Sequence, residues 1–200
     1  LTSFPIELLS HIFSLACTDD GATVHSLSLV SRLFRSVACP LLYDTLSIHT
    51  STQINHLSNL LPTLPPHLRL IRHLYVHLSP PQARVDVSSD IQNLFSILSL
   101  ASSTLESLSF VYPNTVLSSS ILARVSRIPS PKLRELTLHG FYPFPNASAV
   151  YMPKLERLHL SGNRNPYGLF HPGCFPSLTH LKISGVSMAC AFAMELEQVV

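Results

Sequence analysis

The chain has 200 residues, 46% of them hydrophobic, with 13 Lys and Arg against 11 Asp and Glu, which excludes a disordered tail, a coiled coil and a polybasic nucleic-acid arm. A formal net charge of +2 offers no cluster of cations to displace counterions from a phosphate backbone, so nucleic acid is not an expected partner. Only 12% of residues are charged, about half the usual ~25%, so Ser, His, Asn and Pro, or a partner, must cover much of the surface.

From the amino end, Phe4-Pro5-Ile6-Glu7 reads as a helix start. Proline is tolerated in the first turn, and Glu7 faces the positive end of the helix dipole. This helix is expected to reach about Ala16. Its apolar positions, Ile6, Leu8, Leu9, Ile12, Phe13, Leu15 and Ala16, span more than the single stripe of a helix packed on one side, so two sides want burial. After the Asp19-Asp20-Gly21 turn, Thr23 is expected to cap a second helix and Ser31 a third over 32–39, stopped by Pro40. Three short helices in so few residues make a poor core on their own.

The blocks 1–13, 27–38 and 40–43, with Phe4-Pro5-Ile6-Glu7-Leu8-Leu9, Leu27-Ser28-Leu29-Val30-Ser31 and Pro40-Leu41-Leu42-Tyr43, resemble an F-box, particularly the form abundant in mushroom-type fungi. Phe4 stands where Leu is commoner, and Leu42-Tyr43 stands where many animal members carry a Trp. The resemblance implies a substrate receptor of an SCF-type cullin-RING ubiquitin ligase. Its adaptor-binding residues, carried over by motif, are Phe4, Pro5, Leu8, Leu9, Ile12 and Phe13, with Leu29, Val30 and Leu33. The implied partners are a Skp-type adaptor, through it a cullin, and a protein substrate of unknown identity.

The remainder repeats itself. Tyr43-x-x-Leu46-x-Ile48, Ile71-x-x-Leu74-x-Val76, Leu105-x-x-Leu108-x-Phe110, Leu133-x-x-Leu136-x-Leu138, Leu155-x-x-Leu158-x-Leu160 and Leu178-x-x-Leu181-x-Ile183 start 28, 34, 28, 22 and 23 residues apart. This pattern resembles that of leucine-rich-repeat strands, whose period is about 20–29 residues. Helical returns are expected over 51–61, 90–101, 118–128 and 187–200, with Ser or Asp at their starts. The Asn that usually satisfies the turn after such a strand occurs only as Asn163, with Phe141 and Val186 in equivalent places, so the turns must find other partners.

The fold class expected is α+β or an α/β solenoid. A three-helix F-box over 1–48 is followed over 49–200 by a short, curved, leucine-rich-repeat-like parallel sheet with outer helices. Leu1 in place of Met and the apolar Val199-Val200 end read as cuts in a longer protein. The stretch 45–68 lacks acids, Lys and Arg but is broken by Gln53, Asn55, Asn59 and three prolines, so no membrane partner is expected. The compartment implied is cytoplasm, nucleus or both.

In strands of this pattern the leucines point inward and the residues between them project from the opposite face. One such column is His73, Ser107, Glu135, Arg157 and His180, the next Tyr75, Ser109, Thr137, His159 and Lys182, and the third His77, Val111, His139, Ser161 and Ser184. Glu135 and Arg157 are expected to pair across strands. Tyr75, His77, Glu135, Thr137, Arg157, His159, His180 and Lys182 are the candidate substrate-binding residues.

Chemistry is not expected. His73 and His77 lie ~13 Å apart along a strand, and no carboxylate or thiolate joins His139, His159 and His180 at ligand spacing. Cys17, Cys39, Cys174 and Cys190 form no C-x-x-C and read as free buried thiols. Gly185-Val186-Ser187-Met188-Ala189 is an incomplete nucleophile elbow. No catalytic residue, metal or cofactor is assigned. The competing class is a stand-alone leucine-rich scaffold whose first helices cap the array.

Overall fold

The wide apolar arc at the amino end folds as helix α1 (Ile6–Ala16) in a computed structural model that describes residues 4–19, 21–78, 87–112, 124–125, 127–140, 151–162, 173–185 and 197. Helix α2 (Ala22–Val30) follows Gly21, whose φ of 96° favours glycine. The sequence-based expectation that Thr23 caps this helix is corrected: Gly21 holds the cap position and Thr23 sits inside the first turn, where its N–H and hydroxyl donate to the Asp19 carboxylate at 3.0 and 2.7 Å. The Asp19 carboxylate thereby satisfies one N–H of the first turn, and its pKa is lowered, first by the Thr23 hydroxyl. Helix α3 (Arg32–Ala38) is capped as expected, with Ser31 Oγ accepting from the Phe34 N–H at 3.1 Å.

These helices bury Leu9, Phe13, Cys17, Val24, Val37 and Ala38 against one another, with Leu33, Phe34 and Leu42 packed on the rim. Phe13 meets Phe34 edge to face at 5.2 Å, the arrangement favoured by ring quadrupoles. Burial pushes the Cys17 thiol up. Cys17, Cys39 and Cys174 are free; Cys39 is only half-buried, because it opens the 3-10 turn that carries Pro40. Cys190 lies outside the described residues.

All six repeat motifs form strands: β1 (Thr45–Ile48), β2 (His73–His77), β3 (Ser107–Val111), β4 (Glu135–His139), β5 (Arg157–Ser161) and β6 (His180–Ser184). They pair in parallel in chain order. The register aligns Leu46, Leu74, Leu108, Leu136, Leu158 and Leu181 in one inward column, and Ile48, Val76, Phe110, Leu138, Leu160 and Ile183 in the next. Helix α4 (Ser51–Leu60) and helix α5 (Val87–Ala101) cover these columns with Ile54, Leu94, Ile97 and Leu98, so the molecule is a mixed helix-and-strand fold with its main core between sheet and helices. The cap of α4 is Thr50, which closes a reciprocal pair with Gln53, and α5 starts before Asp90. Of the helix expected over 118–128, residues 124–125 are helical while 127–128 form a turn and a bend, and of that expected over 187–200 only 197 is described.

One device joins successive strands. The carbonyl of the residue before each strand accepts two N–H groups from the next: Asp44 from Arg72 and His73, Arg72 from Glu106 and Ser107, Glu106 from Arg134 and Glu135, Arg134 from Glu156 and Arg157, Glu156 from Thr179 and His180. Where strands end, the N–H groups of Leu78, Tyr112, Gly140 and Gly162 donate to the last carbonyl of the next strand. Backbone bonds thus satisfy these strand exits. Asn163, Phe141 and Val186 lie outside the described residues.

Gly185, φ 72°, would place a Cβ 2.4 Å from the Gly162 carbonyl oxygen, whereas one on Gly173, φ 83°, would meet nothing within 4 Å. Gly173→Ala is therefore expected to cost about 1 kcal/mol through backbone strain alone, and Gly185→Ala to exceed it, toward about 3 kcal/mol. Urea unfolding compares them, and equal losses would count against the close approach.

Candidate functional site

Helix α1 carries two neighbouring apolar stripes with different fates. Leu9 and Phe13 face the helical core, Leu9 being 5% exposed, while Leu8, Ile12 and Leu15 lie on the next arc, at about 100° per residue around the helix, and together with Phe4 just before the helix stay in solvent. Leu8 is 51% exposed and Leu15 68%. Pro5 is exposed, as are Leu29 and Val30 at the end of α2. Two expected docking residues are thus corrected: Leu9 and Phe13 are core, because α1 must turn one stripe inward to hold α2 and α3. Leu33 is half-buried against the same core. Ile6 and Leu15 are exposed apolar residues absent from the motif-based set, although the breadth of the apolar arc pointed to them.

The sheet face opposite the leucines brings the expected columns into register. Cross-strand partners run His73, Ser107, Glu135, Arg157, His180 in one row and Tyr75, Ser109, Thr137, His159, Lys182 in the next. Over β4 to β6 they line a groove of about 550 Å³ with Glu135, Thr137, Arg157, His159, His180 and Lys182 on its walls. Six of the eight candidate residues therefore share one depression. Tyr75 and His77 lie over β2 instead, where they meet His49 with ring centroids 5.5 and 6.2 Å away. His49 follows directly after β1 at the position equivalent to His77, and the sequence columns, which begin at the second motif, leave it out.

Arg157 Nη1 donates to Glu135 Oε1 at 2.8 Å, with both side chains largely exposed. Such a pair contributes at most about 1 kcal/mol. His139 Nδ1 and Ser161 Oγ are hydrogen-bonded. Thr179 Oγ1 bonds the Glu156 carbonyl at 3.0 Å and His180 Nδ1 at 2.9 Å. His159 Nε2 is buried and has no hydrogen-bond partner among the described residues; burial first, then the charges of Lys182 and His139, lower the pKa of this imidazole. Among the described residues no group of three or more His, Cys, Asp or Glu side chains is placed to hold a metal ion, and no helix is long and apolar enough to cross a membrane. Of the incomplete nucleophile elbow only Gly185 lies within the described residues.

No protein-family model matches the chain, and no curated protein matches it.

Because the fold disfavours charged His159, the unfolded chain takes up a proton near pH ~6.5 while the folded chain does so only at lower pH. Stability from this residue is whole above that value and declines as pH falls through it. Urea unfolding at pH 7.5 and 5.5 is expected to show a smaller pH-dependent loss in His159→Gln than in the parent; an unchanged loss would remove His159 from the account.

Proposed function

We propose that the chain is the substrate-receptor subunit of an SCF-type cullin-RING ubiquitin ligase, with α1–α3 as an F-box docking a Skp-type adaptor and the parallel sheet as a leucine-rich-repeat array recruiting a protein substrate. The observation that carries this reading is the second apolar stripe of α1. Leu9 and Phe13 already complete the helical core, so Phe4, Leu8, Ile12 and Leu15 are left over as far as internal packing is concerned. Burying one such large side chain against a partner is worth about 1.5–3 kcal/mol before association costs, so a few of them suffice for a stable contact.

The resemblance of the three sequence blocks to an F-box supplies the identity of the partner, and the six in-register motifs supply the receptor half. The role is positional: a substrate held on the sheet face raises the effective concentration of its lysine near the transferring enzyme. No catalytic residue or cofactor belongs to this subunit, and its compartment is cytoplasm, nucleus or both. In the competing reading of a stand-alone scaffold with a helical cap, the uncovered stripe has no purpose.

Co-expression with a Skp-type adaptor followed by size exclusion tests the proposal. Leu8→Asp and Ile12→Asp sit at exposed positions, and each is expected to abolish co-elution while the melting transition stays in place. Leu9→Ala is expected to lose about 2–5 kcal/mol of stability, since it opens a cavity in the helical core. A parent chain that elutes without the adaptor, or an Asp variant that still carries it, would sink the docking reading.

A further inference from the structure

Four basic side chains over β5 and β6 form a two-by-two array. Arg157 and His180 are cross-strand partners in one row, His159 and Lys182 in the next. Adjacent strands are ~4.8 Å apart and alternate residues along a strand ~6.6 Å, so the array spans the length of about two extended residues. The carboxylates near it are already engaged: Glu135 on β4 binds Arg157, and Glu156 at the strand heads binds Arg134 at 3.3 Å. Among the described residues the Lys182 ammonium has no carboxylate partner. His180 is anchored through Nδ1 by Thr179, and its Nε2 makes no hydrogen bond among the described residues. The uncompensated positive charge therefore sits at Lys182, on the β6 side of the groove and away from Glu135.

The geometry points to an acidic, extended protein segment as the occupant of this groove, with an Asp or Glu carboxylate against Lys182 and His180. The inference rests on the reading of this face as the substrate-recruiting surface and names the chemistry of what it recruits. Nucleic acid fits poorly, because one unpaired cation and a guanidinium held by Glu135 release few counterions. An extended segment fits an open sheet face, over which a carboxylate gains from complementary potential and fixes its register.

Fluorescence anisotropy on the whole chain, with a fluorescein-labelled Asp-Ser repeat peptide and an Asn-Ser repeat of equal length, tests this. The Asp peptide is expected to bind and the Asn peptide not to. Raising ionic strength from about 0.05 to about 0.3 M should weaken the binding through screening. Lys182→Glu is expected to weaken it about five- to tenfold, and Lys182→Gln by less, as for the loss of an exposed ion pair. Arg32→Glu, an equal change of net charge on exposed α3, should leave it within about twofold. Equal affinity for the two peptides, equal losses in Lys182→Glu and Arg32→Glu, or no binding of the Asp peptide overturns the inference. Adaptor co-elution, scored on the same Lys182→Glu protein, is expected to persist. A failure of the groove is thereby distinguished from a failure of the docking reading.

Discussion

The register of the parallel strands is the constraint on which the rest of the molecule depends. Side chains alternate with a period of two, so a slip of one residue in any strand would turn its leucines to solvent and its His, Lys and Arg into the core. Two features oppose such a slip. The inward columns from Leu46 to Leu181 and from Ile48 to Ile183 share one hydrophobic core with Ile54 of α4 and Leu94, Ile97 and Leu98 of α5, and the heads of β2 to β6 are each clamped by a carbonyl ahead of the preceding strand that accepts two N–H groups. At the first of these heads Asp44, almost fully buried, also takes both Nε and Nη2 of Arg72, the latter at 2.9 Å. The Asp44 hydrogen bond is the leading reason that the Arg72 pKa is raised. A two-pronged charged contact of this kind adds geometric specificity to a backbone bond that any residue could make.

The helical segment is governed by a different shortage. Three short helices cannot enclose every apolar side chain they carry, and α1 resolves this by dividing its arc. The stripe of Leu9, Phe13 and Cys17 builds the local core, and the stripe of Phe4, Leu8, Ile12 and Leu15 is left in water. The helical core and the sheet core share no buried residue and change over between Leu42 and Tyr43. Burial of the second stripe thus has to come from outside the two cores, which is the physical content of the proposed adaptor contact.

Much of this was legible in the sequence because two periods are hard to confuse. The x-x-Leu-x-apolar spacing locates all six strands, and the alternation within them places Glu135, Arg157, His159, His180 and Lys182 on one face. Less legible was which apolar residue of α1 faces inward. A motif records that Leu8 and Leu9 are both apolar, but only the packing of Phe13 on Phe34 and of Leu9 with Val24 and Val37 decides which of the two is core. Caps were misread for a similar reason. Thr23 and Gly21 are both acceptable at a helix start, and which of them holds the cap position depends on the path of the chain, which composition does not encode. His49 stands level with His77 in the third column, but the columns start at the second motif, and the contact of its ring with Tyr75 appears only in the folded chain.

Charge is scarce in this chain, and its placement follows from the same register. The residues just before β1 to β5, Asp44, Arg72, Glu106, Arg134 and Glu156, alternate in sign from strand to strand, so the strand heads largely neutralise themselves. On the open face Glu135 offsets Arg157. The alternation stops before β6, where Thr179 is neutral, and the outer positions of that strand are His180 and Lys182. A net charge of only +2 therefore coexists with a local excess at one end of the sheet. Recognition of a charged partner depends on the local potential rather than on the sum, so the last described strand, rather than the middle of the sheet, is where an acidic segment finds an uncompensated charge.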